Sequence, residues 1–388
     1  MGIFDIHSDM LYDLWQSKLK GIDNRFEEFH VKQLASSVIK GGVWTMYSPS
    51  DFELIPALEM ALKQIDMSKL PGFKVVLGLE GLRNLENVSD IDKLYEMGFR
   101  HAMVTWNEEN KYATGAKANP ERGLTEEGKK LYKRMQELGM IIDLAHLNEK
   151  SFYEALEVVD KNIIYSHGCL KKFCGHVRNV TEDQMKALKK VDGLLGLTLA
   201  NNFVNSDKEK QDLEHFLDHV DEAVKVMGID NVCFGFDFMD YLSEFPNSNI
   251  KDVPSATEAY KIIDGLKSRG YNEEEVEKIC YKNFYDRYND KIMLGKLMSN
   301  VKVLAVKDSS GQAVFSNLDE KRTPAMIVFA VPEEYYILLK KAEYLRTYDS
   351  TLIPVPTNES LKDEPGELEI SSESLKDWIN KVTVWTES

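Results

Sequence analysis

Short apolar runs and amphipathic segments alternate over residues 1–290 of the chain. The apolar runs are continuous, which is typical of strands in a parallel sheet whose faces are covered by helices. The predicted strands span 3–6, 43–46, 75–79, 101–106, 140–145, 162–167, 194–199 and 231–237. The predicted helices span 51–67, 89–97, 125–138, 149–160, 181–190, 210–227, 256–269 and 273–287. Eight strands with intervening helices predict an α/β fold, a (β/α)8 TIM-type barrel.

The same alternation also fits a doubly wound open sheet. Residues of the types that bind metal ions distinguish the barrel from the open sheet, because they lie at or just after the ends of the first, third, fifth and sixth predicted strands. They are His7, Asp9, Glu80, His146 and His167. In a closed barrel these strand ends surround one mouth, whereas in an open sheet they could not all face one point. We therefore favour the barrel.

The pattern changes after about residue 290. Two apolar runs, 301–306 and 313–315, flank Asp308-Ser-Ser-Gly311 and predict a hairpin. Further strands are predicted at 325–331, 351–355 and 367–370, helices at 332–346 and 373–382, and a loop at 358–366. We predict a barrel domain over 1–290 and a small α+β domain over 300–388. The second has neither histidine nor cysteine, so we expect it to pack or dimerise rather than to carry chemistry.

The net charge of -16 argues against nucleic acid and anionic membranes as partners, because both favour a basic surface. It does not exclude a locally cationic pocket for a small substrate. The first apolar run begins within three residues, so we expect no signal peptide. No stretch approaches the roughly 18 consecutive apolar residues of a membrane-spanning helix. The four cysteines have no paired short spacing, so we expect reduced thiols. Together these features predict a cytoplasmic protein.

The candidate ligands have chemistry that suits Zn²⁺, since imidazole and carboxylate are its usual partners. His7 and Asp9 are two residues apart in a strand and project to the same side, although a buried structural histidine is the commoner case. Glu80 lies in Gly78-Leu-Glu-Gly81, where close backbone approach suits a carboxylate that bridges two ions; a helix cap or a solvated acid is the alternative. His146 and His167 end consecutive strands and could form a second ion site.

Seven short stretches make a more specific pattern. They are Asp5-Ile-His-Ser-Asp-Met-Leu11, Gly78-Leu-Glu-Gly81, Thr105-Trp-Asn107, Asp143-Leu-Ala-His-Leu147, Ser166-His167, His176-Val-Arg-Asn-Val180 and Gly235-Phe-Asp237. In their order and spacing the chain resembles, over roughly residues 1–290, the membrane (renal) dipeptidase family, zinc peptidases of the amidohydrolase type. The resemblance implies that His7 and Asp9 hold one zinc ion, that His146 and His167 hold the other, and that Glu80 bridges both.

The resemblance also implies a homodimer and two further roles. Arg178 would bind the free carboxylate of the substrate, which agrees with the bidentate geometry of a guanidinium. Asp237 would carry the proton. Without the resemblance, a surface arginine and a turn-capping aspartate would be the ordinary interpretations. His176, which precedes Arg178 by two residues, is a further candidate for lining the pocket.

The chain departs from the family at two places. Trp106 stands where the mammalian enzymes carry a histidine that contacts the substrate, so Asn107 or Asn110 becomes the candidate hydrogen-bond donor. In Gly235-Phe-Asp-Phe-Met-Asp240, relatives usually have Asp-x-Asp-Gly. The bulky Phe238 and Met239 would reshape the pocket floor and narrow the range of substrates.

We therefore predict a zinc-dependent dipeptidase that hydrolyses dipeptides with a free C-terminal carboxylate through a hydroxide bridging two zinc ions. Mn²⁺ and Co²⁺ would suit the same ligands. The alternatives are another amidohydrolase activity, such as an N-acyl amino acid deacylase, a lactamase or a lactonase, and a non-catalytic metal-binding scaffold. His215 and His219 have a spacing that can bind metal, but their helix is densely charged, so a solvated face is expected.

Overall fold

The computed structural model divides the chain into two compact units, Met1–Gly295 and Lys296–Ser388. The residues it describes in the first unit are 1–50, 53–245 and 247–293. In the second unit they are 298–299, 302–310, 312, 326–331, 335, 338–341, 369–370, 376 and 379.

Eight parallel strands close into a barrel in the first unit, in the order β1 to β8, and β8 returns to β1 through Phe234 and Asp5. The strands are β1 (Ile3–Ser8), β2 (Ile39–Tyr47), β3 (Lys74–Glu80), β4 (Phe99–Met103), β5 (Ile141–Asp143), β6 (Ile163–Gly168), β7 (Leu194–Leu197) and β8 (Val232–Phe234). The predicted barrel is confirmed, and the open sheet is excluded. Each observed strand overlaps its predicted counterpart.

Helices follow the strands around the barrel. They are α1 (Met10–Leu19), α2 (Lys32–Ser36), α3 (Leu54–Leu62), α4 (Asp90–Glu96), α5 (Glu126–Glu137), α6 (Glu149–Val158), α7 (Glu182–Lys190), α8 (Asn201–Val204), α9 (Leu213–Met227), α10 (Tyr260–Ser268), α11 (Glu273–Glu277) and α12 (Asn283–Tyr288). Two π-helical segments, Phe26–Val31 and Lys278–Lys282, precede α2 and join α11 to α12. Short 3-10 turns cover Met67–Lys69, Lys208–Lys210, Ile229–Asn231, Ala256–Glu258 and Asn289–Lys291. The helices α1, α2 and α8 were not predicted.

Side-chain caps begin α5, α6 and α7. Thr181 accepts a hydrogen bond from the backbone N–H of Gln184, whose side chain accepts one from the backbone N–H of Thr181, so α7 begins with a capping box. Thr125 and Asn148 cap α5 and α6 in the simpler way. These caps end the loops that follow β4, β5 and β6 at definite residues.

An apolar cluster fills the half of the barrel away from the mouth. It comprises Phe4, Ile6, Val43, Val76, Ile141, Ile164, Leu194 and Cys233 from the strands, with Phe284, Tyr288 and Ile292 from α12 and the turn after it. Burying a large apolar side chain contributes about 1.5–3 kcal/mol to stability. The floor of the barrel therefore provides stability, and the polar strand ends are left for chemistry. All four cysteines are free and buried.

The second unit contains two antiparallel pairs among its described residues. Strand β10 (Lys302–Lys307) pairs with β11 (Met326–Ala330), and β9 (Met298–Ser299) pairs with β12 (Glu369–Ile370). Residues 338–341, 376 and 379 are helical, within the predicted helices. The predicted strands 313–315 and 351–355 and the loop 358–366 lie outside the described residues. In neither unit does a described helix have the length and apolar character needed to cross a bilayer.

Candidate metal centre

The ends of β1, β3 and β6, with the turn after β5, bring the five predicted ligands together. The Nε2 atom of His146 lies 2.8 Å from Oε1 of Glu80, and the same oxygen lies 3.9 Å from Nε2 of His7 and 3.9 Å from Nε2 of His167. The carboxylate of Asp9 is 3.9 Å from His7. All five residues are buried. Glu80 is thus the common neighbour of all three histidines.

Two overlapping groups of donor atoms in this cluster could hold a metal ion. One comprises His7, Glu80 and His167, and the other His7, Asp9 and Asp237, with the donor atoms of each group within 4.8 Å of one another. This grouping differs from the predicted division, because His7 belongs to both groups and Asp237 joins the second. Mixed imidazole and carboxylate donors are those of zinc and similar divalent ions.

The chemistry of the donors fits a bound cation. Both ring nitrogens of His7 are buried and have no hydrogen-bond partner among the described residues, which is rare for buried polar atoms. Burial raises the pKa of Glu80, and the negative charges of Asp9 and Asp237 raise it further. Burial also lowers the pKa of His167, with the positive charge of Arg178 acting in the same direction. Such an imidazole is neutral, the form that binds metal.

Two residues of the centre have left-handed backbone, which non-glycine residues seldom adopt. The φ angles are 71° at His146 and 57° at Asp237. The backbone of Asp237 is held on both sides, since its N–H donates to the carbonyl of His7 at 3.3 Å and its carbonyl accepts from the side chain of Asn249 at 2.9 Å. Strain that the surroundings enforce in this way concentrates at functional sites.

The carboxylate of Asp237 belongs to the cluster. Its Oδ1 lies 3.7 Å from Nε2 of His7. Burial raises the pKa of this carboxyl group, and the negative charge of Asp9 raises it further, while Arg178 opposes the shift. Asp237 therefore faces the candidate ligands, as a proton carrier or as an additional ligand would.

The guanidinium of Arg178 also points into the centre and is not on a surface loop. Its Nη1 lies 2.9 Å and 2.8 Å from the two ring nitrogens of His146, and its Nη2 lies 3.1 Å from Nε2 of His167. The hydroxyl of Tyr165 donates to the carbonyl of Arg178 at 2.7 Å and fixes its backbone. The Nε atom is buried without a partner among the described residues. Arg178 thus places a positive charge beside two candidate ligands.

The other predicted site residues divide into two kinds. The ring of Trp106 lies 6.0 Å from that of His146, and the amide oxygen of Asn107 lies 3.2 Å from Nδ1 of His146. His176 accepts from the backbone N–H of Arg178 at 3.3 Å. The amide of Asn110, in contrast, donates to the carbonyl of Val104 and accepts from two N–H groups of its own loop. Asn110 stabilises this loop, and its amide is occupied there.

Phe238 and Met239, which were predicted to reshape the pocket floor, lie in the segment after β8. Phe238 is buried, its ring 5.3 Å from that of Phe236, and it lines a small cavity with Trp44 and Tyr241. The backbone N–H of Met239 donates to the side chain of Asn249 at 3.0 Å. Phe238 therefore packs within the segment after β8, and Met239 is held there through its backbone.

His101 was not predicted to be a site residue. This histidine is fully buried in β4, and its Nε2 lies 2.9 Å from Oδ2 of Asp143. The other carboxylate oxygen of Asp143 accepts from the N–H groups of Ala145 and Ser166 at 2.9 and 3.0 Å. The pair thereby joins the ends of β5 and β6 where the ligand histidines begin. The available signal was a histidine inside an apolar run.

The prediction of a solvated face for His219 is wrong. The residue is buried in α9, where its Nδ1 accepts from the N–H of Leu170 at 3.0 Å and its Nε2 lies 2.9 Å from the carbonyl of Val204. Burial lowers its pKa to about 4. His219 therefore anchors the loop after β6 as a neutral imidazole.

A model of the membrane dipeptidase family, peptidase family M19, matches residues 69–287, more than half of the chain. Dipeptidase tcpJ of Claviceps purpurea is 29% identical over 234 residues, which cover 58% of this chain and 53% of that protein. Dipeptidase 3 of Mus musculus is 25% identical over 314 residues, which cover 72% of this chain and 62% of that protein. The chain thus spans little more than half the length of these curated relatives.

Solved structures show the same fold. The structure described as dipeptidase AC, a metallopeptidase of family M19, has a TM-score of 0.62 and 21% identity, covering 74% of this chain and 97% of that one. A metallopeptidase from Rhodobacter sphaeroides, liganded with a phosphinate mimic of the dipeptide L-Ala-D-Ala, has a TM-score of 0.63 and 19% identity, covering 74% and 98%. At these identities the likeness concerns the fold alone.

Proposed function

Because this chain belongs to the membrane dipeptidase family, peptidase family M19, we propose that it is a metallo-dipeptidase acting on dipeptides with a free C-terminal carboxylate. One observation carries the proposal. The Nε2 atom of His146 lies 2.8 Å from the carboxylate of Glu80 and 2.8 Å from the guanidinium of Arg178. A candidate metal ligand and a carboxylate-binding group therefore meet at a single imidazole.

In this proposal His7, Asp9, Glu80, His146 and His167 hold two zinc ions. When bound, the ions would polarise the scissile carbonyl and lower the pKa of a water molecule toward neutrality. The crowding of Glu80, Asp9 and Asp237 supports a strongly cationic occupant, because their mutual repulsion disfavours three ionised carboxylates in a buried space.

Arg178 would bind the terminal carboxylate of the substrate. Its side chain is buried, so the pairing would occur away from bulk water, where charge-assisted hydrogen bonds are strongest. Binding there orients the peptide and sets the distance from its carboxylate to its scissile bond. A free C-terminus on the second residue would meet this requirement.

Asp237 would move the proton. It would accept the proton of the nucleophile and deliver it to the leaving amine, which requires a carboxyl group that is stable in both protonation states. The raised pKa of the buried Asp237 side chain agrees with that role. Trp106 would line the pocket where an imidazole stands in the mammalian enzymes, and Asn107, which contacts His146, is the nearer of the two predicted amide donors.

The oligomeric state and the location of the protein are further proposals. We keep the homodimer that the family resemblance implies and the cytoplasmic location expected from composition and cysteine usage. Sedimentation of the full chain at several concentrations would measure the first, and fractionation of cells would measure the second.

Hydrolysis by metal-loaded protein tests the proposed function. Free dipeptides should be cleaved, and the same dipeptides with an amidated C-terminus should have a KM higher by about 10- to 100-fold, since they lack the charged partner of Arg178. Arg178→Lys should raise KM for free dipeptides by about tenfold or more and reduce the discrimination against amidated ones. Equal cleavage of free and amidated dipeptides by the wild-type protein would contradict the assignment of Arg178.

N-acyl amino acids and lactones in the same panel separate the alternatives. Faster cleavage of either class than of every dipeptide would make the protein a different amidohydrolase. Stoichiometric metal without hydrolysis of any substrate in the panel would indicate a metal-binding scaffold.

A further inference from the structure

A lysine of the loop after β4 lies on the His146 side of the mouth. The N–H of Ala116 donates to the carbonyl of His146 at 2.7 Å, and the N–H of Lys117 donates to the carbonyl of Asn107 at 3.1 Å. Both acceptors belong to residues that contact one another in the centre. The backbone at Lys117 is therefore tied directly to the wall of the site.

This part of the loop has little freedom to move away. The N–H of Gly115 donates to the carbonyl of Glu108 at 2.8 Å. A Cβ atom at position 115 would collide with the carbonyl oxygen of Trp106, so the chain packs against the Trp106 backbone as closely as glycine allows. Lys117 follows two residues later and has a well-defined origin for its side chain.

The side chain of Lys117 is exposed, and among the described residues no carboxylate pairs with its ammonium group. Its backbone starts at the wall of the site, because Asn107, whose carbonyl accepts from Lys117, also contacts the ring of His146 at 3.2 Å. A flexible lysine side chain that begins at this wall can reach the mouth. In agreement, burial lowers the pKa of His176, and the positive charges of Arg178 and Lys117 lower it further.

Lys117 and Arg178 approach the same residue of the mouth. The loop of Lys117 bonds the carbonyl of His146 through the N–H of Ala116 at 2.7 Å, and Nη1 of Arg178 lies 2.8 Å from Nε2 of His146. His176 accepts the backbone N–H of Arg178. Its ring stacks on Phe203 at 4.1 Å, and the guanidinium of Arg178 lies 5.6 Å from the same ring. In a chain with a net charge of -16, two cations at one wall of a site create a local field that attracts anions.

We propose that Lys117 and Arg178 together bind two carboxylates, so that the preferred substrates are dipeptides whose C-terminal residue is Asp or Glu. This inference rests on the proposed function. Arg178 takes the main-chain carboxylate, and Lys117 takes the side-chain carboxylate of the same residue. The flexible stem of lysine suits both acids, because an ammonium group needs no fixed bidentate geometry.

The test compares Ala-Glu with Ala-Gln, which have nearly the same shape and differ by one charge. At low ionic strength the full-length, metal-loaded protein should favour Ala-Glu by about tenfold in kcat/KM, chiefly through KM, as expected for one hydrogen bond to a charged group. The preference should shrink as salt is added, because Lys117 is exposed and its charge is screened.

Variants assign the preference to one residue. Lys117→Gln should bring the ratio for Ala-Glu over Ala-Gln close to one, and Lys117→Glu should make Ala-Lys a better substrate than Ala-Glu. The matched control is Lys111→Gln, an exposed lysine of the same loop whose ammonium donates to the carbonyl of Glu86. This control removes the same charge and should keep the wild-type ratio.

Each remaining outcome overturns a stated claim. If the wild-type protein cleaves Ala-Gln and Ala-Glu equally well, this inference fails and the proposed function stands. The inference also fails if Lys117→Gln keeps the preference, or if Lys111→Gln loses it to the same extent. If metal-loaded protein cleaves no dipeptide, the proposed function fails and this inference fails with it.

Discussion

The two halves of the barrel mouth carry opposite charges. The carboxylate half consists of Asp9, Glu80 and Asp237, at the ends of β1 and β3 and just after β8. The cationic half consists of Arg178 and Lys117, in the loops after β6 and β4. The three candidate ligand histidines lie between the halves, and the rings of two of them, His7 and His167, stack at 3.8 Å.

The two halves suit different occupants. The carboxylate half is crowded with negative charge in a buried space, and a bound cation would relieve this repulsion. The cationic half has the guanidinium of Arg178 in contact with His146 and Lys117 in the loop that bonds the His146 backbone, and an anion complements it. Metal ions on one side and substrate carboxylates on the other would leave the scissile bond between them. Mutations in the carboxylate half should therefore change the kinetic constants in a different way from mutations in the cationic half.

The largest effect is expected from Glu80→Gln, which removes a charge from the carboxylate half and keeps its shape. Glu80 contacts His146 and lies 3.9 Å from His7 and from His167. We expect loss of bound metal and a fall in kcat of more than about 10⁴-fold, beyond that for a proton-transfer group alone. Elemental analysis and kinetics measure both quantities.

A matched control for this variant is Glu109→Gln, which neutralises an exposed glutamate of the loop after β4, 3.5 Å from Arg122. It should keep both metal and activity. A Glu80→Gln protein with its full metal content and near wild-type kcat would contradict the role of Glu80 as the shared ligand.

A smaller effect is expected from Asp237→Asn. Asparagine tolerates the left-handed backbone at this position, so the fold should persist. It cannot carry a proton, and we expect kcat to fall by about 10²- to 10⁴-fold with little change in KM or metal content. Steady-state kinetics would measure kcat and KM, and elemental analysis of the same protein would measure its metal content. Loss of one ion would instead make Asp237 a ligand, in agreement with its grouping with His7 and Asp9.

The smallest effect concerns His219, which supports the loop that leads to Arg178. The imidazole has a folded-state pKa of about 4, below its ordinary value of 6.5, so the unfolded chain binds the extra proton between these values. The contribution of the neutral His219 to the free energy of unfolding should therefore be fully present above about pH 6.5. It should decrease as the pH drops toward 4, by up to about 3 kcal/mol. Urea unfolding of the wild-type protein and of His219→Gln over this range would measure it.

The wild-type and variant curves should converge in acid, because only the wild-type protein has this histidine to protonate. Metal-ligand titrations affect both proteins alike and cancel in the difference. A difference in the free energy of unfolding that stays constant with pH would show that His219 is not held neutral.

The positions of Glu80 and His167 could be predicted because each lies at the end of an apolar run that forms a strand. The carboxyl ends of the parallel strands lie at the mouth of a barrel, so a residue at such an end lies at the mouth. His7 and Asp9 follow from the same logic with the two-residue period of a strand. The sequence-based interpretation of Arg178 depended on family resemblance, since nothing in its local pattern separates it from a surface arginine. Its contact with His146 arises from a loop path that hydrophobic periodicity does not describe.

Other features required three-dimensional information. The burial of His219 depends on which face of α9 meets the loops after β6 and β7, and its charged neighbours pointed the other way. The helix α1 begins directly after Asp9, so no loop separates its apolar positions from those of β1. The position of Lys117 depends on backbone hydrogen bonds to Asn107 and His146. Long-range pairings of this kind leave no periodic trace in a sequence.

The burial of all four cysteines makes the chain convenient for site-selective labelling. Cys169, Cys233 and Cys280 have pKa values raised by burial, and Cys174 is only 5% exposed, so none should react quickly with a maleimide in the folded protein. A cysteine introduced at Lys111 would be the one fast-reacting thiol of the chain. A fluorophore attached there would report on the loop beside the mouth during metal loading and turnover, without removal of any native thiol.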